Sequence, residues 1–438
     1  MTSFFHAYDL RGKYPDEIGK EEAKKVGKAY GTFTDAEEVL VGRDGREHAE
    51  EVAEAFREGI RSTGTDVADA GMVPTPSVYF AMQDRGYRSS AVVTASHNPP
   101  EYTGFKFTKE NALAMSREGG MKQIQEIYES EEFETGEGDE KQVEVLEDYG
   151  EFLAERSNFE EFEVAVNYGN SVSAEMHDHL ESLGMNINAV NREVDGSFPS
   201  HLPDPGNEEA QEYLEERMGG EQLGIIFDGD GDRAGFILPG HGYIGEDEVL
   251  SLFAEQALVE KDGKVLHDLR ASKLVKETIT ENGGEPMETR VGHTFFSEEI
   301  HQDHEIVFAG ELSGHYYFPA FGAPWDDGFM AAVLMSNIAS ASDLNQKLDD
   351  LPEYPVSPEL RIDCPEDRKQ PVIEGVREEF SDHEISTVDG VKIYFEEGWA
   401  LVRPSNTEEK MSVRCEADDE ESLDRILSEV EGKVRELI

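Results

Sequence analysis

Two short stretches concentrate the residues best able to move a charged group. The first is Asp228-Gly-Asp230-Gly-Asp232-Arg233, directly after the apolar run Leu223 to Phe227. Three carboxylates spaced two residues apart on a glycine turn can converge on one point. Oxygen-only ligands of this kind suit a hard divalent cation such as Mg²⁺, which keeps a position for a phosphate oxygen. A calcium loop of the EF-hand type also begins Asp-x-Asp-x-Asp, but its sixth position here is Arg233, its twelfth is Pro239, and a strand precedes it. Gly229-x-Gly231-x-x-Ala234 fits a loose dinucleotide pattern, yet the Asp side chains beside it would repel a pyrophosphate. A solvated Asp/Gly turn is the plain structural alternative.

The second stretch is Thr94-Ala-Ser96-His97-Asn98-Pro99-Pro100, followed by Gly104-Phe-Lys106. A serine is a poor nucleophile until something takes its proton and stabilises charge at the acceptor. His97, Lys106 and a metal together can do both. Read alone, the same residues make a turn equally well. Gly310-Glu311-Leu312-Ser313-Gly314-His315 offers a carboxylate and a hydroxyl that can bond vicinal sugar hydroxyls. Arg403-Pro-Ser405-Asn406-Thr407 offers a guanidinium, hydroxyls, an amide and backbone N–H groups that can wrap a phosphate without a metal. Each also describes an ordinary loop or a type I turn. Tyr8 to Gly12, Gly42 to Arg46, and Arg290-Val-Gly292-His293 set cations beside glycine turns. Arg43, Asp44 and Arg46 read equally as structural ion pairs and stay outside the candidate site.

These loops need rigid supports, and the chain repeatedly reads as a short apolar strand, a glycine turn and a helical stretch, which argues an α/β fold. Strands are expected at 38–42, 90–94, 162–166, 223–227 and 305–308, and helices at 49–62, 174–183, 248–259 and 327–340. Pro352, Pro355 and Pro358 read as a linker. The tail alternates short strands at 390–394, 399–402 and 411–414 before a terminal helix, as a small α+β domain would. The division expected is 1–142, 143–240, 241–350 and 351–438, carrying in turn the serine, carboxylate, Glu/Ser and Arg/Ser loops.

With 96 Asp+Glu against 39 Lys+Arg, the chain carries a formal −57, spread along its length. A hydrophobic share of 37% separates it from disordered acidic chains. So negative a surface repels itself unless salt screens it, which fits a salty cytoplasm. It would also repel nucleic acid and anionic membranes, and neither is an expected partner. Cys364 and Cys415 form no metal-binding spacing and no disulfide scaffold. The first residues have no basic start followed by an apolar stretch, and no apolar run reaches about 18 residues. A cytoplasmic location is expected; the oligomeric state is open.

Taken together and in order, the four loops resemble those of the α-D-phosphohexomutase family, whose members interconvert 1-phospho and 6-phospho sugars. Tyr8 to Gly12, Pro74-Thr-Pro76 and His201-Leu-Pro-Asp-Pro205 add to the likeness, which spans essentially the whole chain. The resemblance implies three related α/β domains with mixed sheets and a smaller C-terminal α+β domain around a central cleft. Asn406 and the Tyr-Asp-Leu-Arg start are nearer the phosphomannomutase/phosphoglucomutase type than the phosphoglucosamine mutases, while Leu312 matches neither. Thr103, Asn167 and Arg270 also depart from the family's frequent residues.

The likeness implies that phosphorylated Ser96 donates its phosphoryl group to a hexose 1- or 6-phosphate, mannose and/or glucose. A hexose 1,6-bisphosphate then serves as intermediate and activator. Asp228, Asp230, Asp232 and Ser96 are the expected Mg²⁺ ligands, with Lys106 as general base and His97 and Arg11 assisting. Tyr8, Arg233, Arg270, His293, Glu311, Ser313, His315, Arg403, Ser405, Asn406 and Thr407 are the expected sugar-phosphate contacts. The other readings are a phosphoglucosamine mutase, a catalytically silent sugar-phosphate sensor of the same fold, and a phosphatase that loses its phosphoserine to water.

Overall fold

The run Leu223–Phe227 is buried at every position, as a strand covered on both faces must be. In the computed structural model, which describes residues 4–5, 9–405 and 409–438, it lies between the parallel strand Phe162–Asn167 and the antiparallel strand Ala234–Leu238. Ile225 stands opposite Val166 on one side and Phe236 on the other. Met185–Val190 and Gly242–Tyr243 close the edges of this five-stranded sheet. The six-residue connection from Asp228 to Arg233 is therefore the loop of an antiparallel hairpin.

The N-terminal sheet repeats the device. Ser89–Val93, also wholly buried, pairs in parallel with Glu38–Arg43 and antiparallel with Tyr102–Lys109. Leu10–Lys13 flanks Tyr102–Lys109, and Asp66–Met72 with Glu140–Gln142 extends the other side. Helices Lys20–Phe33 and Ala49–Arg61 cover the sheet, their apolar faces meeting Val41, Val93, Phe105 and Phe107 in one core. The helix expected at 174–183 is two pieces, a 3₁₀ turn Val172–Met176 and an α-helix His177–Ser182. The tight turn brings the Ser171 and Ser173 hydroxyls to the Asp228 carbonyl at 3.2 and 3.1 Å, so the helix start is recruited to brace the carboxylate loop.

The chain divides into two compact units, one holding Met1–Glu246, Gly292–Ala309 and Ser313–Lys347, the other Asp247–Val291, Gly310–Leu312 and Leu348–Ile438. Residues 241–350, expected as a third domain, contribute to both. In the first unit, Tyr316–Phe318 and Ala323–Asp326 pair antiparallel ahead of the buried helix Gly328–Ala341. In the second, Lys264–Asp268 and Glu285–Thr289 run parallel. The C-terminal part is a five-stranded antiparallel sheet backed by helices Glu366–Glu379 and Glu420–Leu437. Mixed α/β sheets followed by a smaller antiparallel α+β part is the class expected. No helix among the described residues is long and apolar enough to cross a membrane.

Candidate active site

Ser96 follows the buried strand Ser89–Val93 and is itself only 1% exposed. Its backbone sits at φ 49°, in the left-handed region, and its N–H donates to Thr94 Oγ1 at 2.8 Å. That turn aims Oγ away from its own sheet, and the hydroxyl donates to Asp228 Oδ2 at 2.7 Å. The two loops approach backbone to backbone: a Cβ on Gly229 would stand 2.2 Å from the Ser96 carbonyl oxygen.

The hairpin loop converges as its spacing predicts. Asp228, Asp230 and Asp232 are wholly buried, with one oxygen of each within 4.8 Å of the others. Asp228 Oδ1 accepts the Gly231 N–H at 2.8 Å and the Arg233 N–H at 3.3 Å. Thr75 Oγ1 and Lys106 Nζ both donate to Asp230 Oδ2, at 2.6 and 2.7 Å, and Lys106 also bonds Asp232 Oδ2. Asp230 Oδ1 and Asp232 Oδ1 remain buried with no hydrogen-bond partner. Buried carboxylate oxygens without partners are costly unless a cation reaches them, and one oxygen from each of the three Asp lies within reach of a single ion, so the donor set fits a divalent metal.

The electrostatics follow from burial. Burial, then Asp232 and Asp230, push the Asp228 carboxyl well above its usual range. Burial would raise Asp232 as well, but Lys106 and Arg233 outweigh it and hold it low. Lys106 loses charge stability to burial and regains more from Asp230 and Asp232, so its ammonium is held well above its usual pKa. With both carboxylates on it, Lys106 is a proton donor. Burial and Arg233 lower His97 to about 4, and its Nδ1 lies 3.1 Å from Ser96 Oγ.

Arg11, Arg233, His293, Ser313 and His315 lie in the same unit as these loops. Arg11 bonds Asn98 and Asp9. Arg233 Nε donates to His315 Nε2 at 3.2 Å, which leaves His315 Nδ1 to donate to Ser313 Oγ at 2.8 Å. Burial, then Arg233, keeps this imidazole far below its usual pKa. His293, lowered to about 4 by burial and Lys106, stands 4.0 Å from Asp326 Oδ2, and His315 Nε2 stands 3.9 Å from the same oxygen.

The second unit holds the other described candidates. Arg270 grips Asp268 with Nε 3.0 Å from Oδ1 and Nη2 on Oδ2, a two-nitrogen fork a lysine could not form. Glu311 is buried. Arg403, paired with Asp389, and Ser405 line a cavity of about 170 Å³ together with Arg361 and Lys410. Tyr8, Asn406 and Thr407 lie outside the described residues.

Sequence reasoning set Arg46 aside, and it proves to be the main brace of the serine loop. The guanidinium is 3% exposed. It donates to the carbonyls of Ser96, Asn98 and Pro99 at 2.7 Å each and of Tyr102 at 3.1 Å, with Nε on Asp44 at 3.1 Å. The signal was the run Gly42-Arg43-Asp44-Gly45-Arg46, whose targets lie some fifty residues on. Thr75 and Asp326 were also missed; only Pro74-Thr-Pro76 hinted at the first.

A hydroxyl bonded into a buried carboxylate cluster beside a charged lysine is an arrangement suited to phosphoryl transfer. The sequence narrows this further. Family models described as phosphoglucomutase/phosphomannomutase alpha/beta/alpha domains I, II and III match residues 2–135, 144–241 and 245–355, and the C-terminal domain model matches 359–433. The Pseudomonas aeruginosa phosphomannomutase/phosphoglucomutase is 33% identical over 437 residues, 97% of this chain and 94% of that protein. A Methanopyrus kandleri protein named probable phosphoglucosamine mutase is 32% identical, covering 100% and 99%. The crystal structure of a phosphoglucomutase/phosphomannomutase family protein from Burkholderia thailandensis superposes with a TM-score of 0.92 at 30% identity, covering 100% of this chain and 98% of that one. The chain belongs to the phosphoglucomutase/phosphomannomutase family and is a phosphohexomutase, an intramolecular phosphotransferase.

Proposed function

We propose that the enzyme interconverts the 1- and 6-phosphates of mannose and/or glucose through phospho-Ser96. The observation that carries this is the buried bond from Ser96 Oγ to Asp228, in the same cluster as the Lys106–Asp230–Asp232 contacts. In the forward half-reaction the Ser96 O–P bond breaks and a bond forms to the free sugar hydroxyl, giving a hexose 1,6-bisphosphate. Its other end then returns a phosphoryl group to Ser96. A metal such as Mg²⁺ held by Asp228, Asp230, Asp232 and Ser96 would neutralise charge on the phosphoryl oxygens. Lys106 is the proposed acceptor of the hydroxyl proton, a role that requires Asp230 and Asp232 to loosen their hold on its ammonium. His97 and His293, neutral above about pH 4, can exchange hydrogen bonds without adding charge, and Arg11 steadies Asn98.

Arg233, His293, Ser313 and His315 in the first unit, and Arg270, Glu311, Arg403 and Ser405 in the second, are the proposed sugar-phosphate contacts, with Tyr8, Asn406 and Thr407 proposed from sequence alone. The four-domain division at 142, 240 and 350 goes with this reading. The family and the two Asp oxygens without partners support it. Ser96→Ala should abolish turnover and keep hexose phosphate binding. Unchanged turnover would refute phospho-Ser96. A panel of mannose, glucose and glucosamine 1-phosphates at high salt decides the sugar, with preference for glucosamine favouring the Methanopyrus-like reading. Release of inorganic phosphate in place of isomer would make it a phosphatase.

A further inference from the structure

One end of the C-terminal sheet is pinned from several sides. Strands Leu360–Asp363, Lys410–Ala417 and Gly398–Pro404 run side by side. Ser412 stands opposite Arg361 on one side and Arg403 on the other, so the three residues form one row across the sheet. Together with Ser405 and Lys410, this row lines the cavity of about 170 Å³. Past the row the chain leaves at Ser405 and returns at Lys410. The Ser405 N–H donates to the Lys410 carbonyl and the Cys364 N–H to the Glu409 carbonyl, both at 2.9 Å, which fixes the returning limb. The outgoing limb is held by a side chain: Lys369 Nζ donates to the Ser405 carbonyl oxygen at 2.7 Å.

Lys369 is an unfavourable residue for its own helix. It lies in the first turn of Glu366–Glu379, near the positive end of the helix dipole, where a cation is disfavoured. It is also 6% exposed, and a lysine is almost never so buried unless it is paired. Glu366, itself exposed, bonds the ammonium and balances its charge. In water the same ammonium would need no balancing, so what its burial gains is the bond to Ser405, two residues beyond Arg403. Lys369 is not part of the cavity wall and acts through the loop it holds. We propose that Lys369 is a positioning residue for phosphate binding: its grip on the Ser405 carbonyl sets the loop against the Arg361–Ser412–Arg403 row, so that Ser405 and Arg403 close on the same phosphate group. This rests on the reading of Arg403 and Ser405 as phosphate contacts.

The test is the initial rate of the full chain with mannose 1-phosphate and with glucose 1-phosphate in Mg²⁺. Lys369→Met fills much the same space without the ammonium. It should raise KM roughly tenfold or more, the worth of one charge-assisted hydrogen bond to the phosphate. Its kcat should stay within about threefold, because the grip on the distal phosphate is made alike in the ground and transition states. The rise should persist in about 1 M salt, where the Debye length is about 3 Å, since screening does not restore a displaced loop. Lys369→Gln, uncharged and shorter, should behave alike, and it decides if the Met variant does not fold. Unchanged KM, a loss confined to kcat, or a KM rise that vanishes in molar salt would overturn the proposal. Arg403→Ala separates it from the reading beneath: raised KM there beside unchanged KM in Lys369→Met refutes the tether alone, whereas unchanged KM in Arg403→Ala refutes the phosphate site itself.

Discussion

Replacing Arg46 by lysine tests whether the serine loop is held from behind. The guanidinium makes five side-chain hydrogen bonds, four of them to carbonyls between Ser96 and Tyr102. An ammonium has only three protons, so at least two buried acceptors lose their donor. At roughly 1–3 kcal/mol each, the variant should lose about 2–6 kcal/mol. Against a total near 5–15 kcal/mol it should still fold, at a lower denaturant midpoint. The rate carries more information. A shift of about 1 Å in a reacting group costs on the order of 100-fold, and the Ser96 carbonyl is one of the five acceptors that three protons must now share. Arg46→Lys should therefore drop kcat about 100-fold with KM changed by less than about threefold, as expected when only transition-state positioning is lost. Initial rates with both hexose 1-phosphates, urea unfolding curves and the phosphorylated fraction of Ser96 by intact mass report on each part. A variant that is destabilised but keeps its kcat would show that Arg46 braces the fold and not the serine.

Three further outcomes follow from particular contacts. Gly229→Ala sets a Cβ against the Ser96 carbonyl oxygen, 2.2 Å away, and should cost roughly 1–3 kcal/mol along with most activity. Gly219→Ala, with nothing within 4 Å, should stay within about 0.5 kcal/mol in the same unfolding assay. Acid should remove the stability that His293 contributes to the metal-free enzyme: its folded pKa is near 4 against 6.5 unfolded, so at this site the unfolded chain binds more protons between those values. That contribution falls as pH drops from 6.5 towards 4, by about 2–3 kcal/mol, whereas Asp327, raised to about 6 by burial, and Asp228 act in the opposite direction. Urea midpoints of the wild type and His293→Phe at fixed salt isolate it; a difference between the two that does not change with pH counts against it. Mg²⁺ at about 100 times its Kd should stabilise the folded chain by about 2.7 kcal/mol. Asp230→Asn should lose that gain, read as the shift in Tm on adding the ion.

The reactive loops were legible because each follows a strand with an unmistakable apolar signature. Leu223–Phe227 and Ser89–Val93 are buried at every position, so composition alone marked them. Their partners were not. Asp66–Met72 reads Asp-Val-Ala-Asp-Ala-Gly-Met; it is a strand through its parallel pairing with Glu38–Arg43, and its buried Asp69 is met 3.4 Å away by Arg57, a partner no local pattern announces. Helix Thr75–Arg85 begins where the Thr75 hydroxyl reaches Asp230, 155 residues away in sequence. Arg46 was visible as a cation beside a glycine and indistinguishable from Arg43, until the carbonyls it serves were seen on one side of it. Asn167, a departure from the family, is explained by its buried contacts: it meets His201 at 2.9 Å and accepts from Gly169 at 3.0 Å. Nothing in the structure explains Leu312.

Ser96 occupies a backbone conformation that costs a side-chain-bearing residue about 1–2 kcal/mol and glycine almost nothing. Ser96→Gly should therefore outlast Ser96→Ala on heating while being equally inert. Mutational drift judged on robustness alone runs towards glycine here, and under the phospho-Ser96 proposal what opposes it is the need for one oxygen atom. In a chain of this fold, the residue at this place records whether the reaction is still under selection.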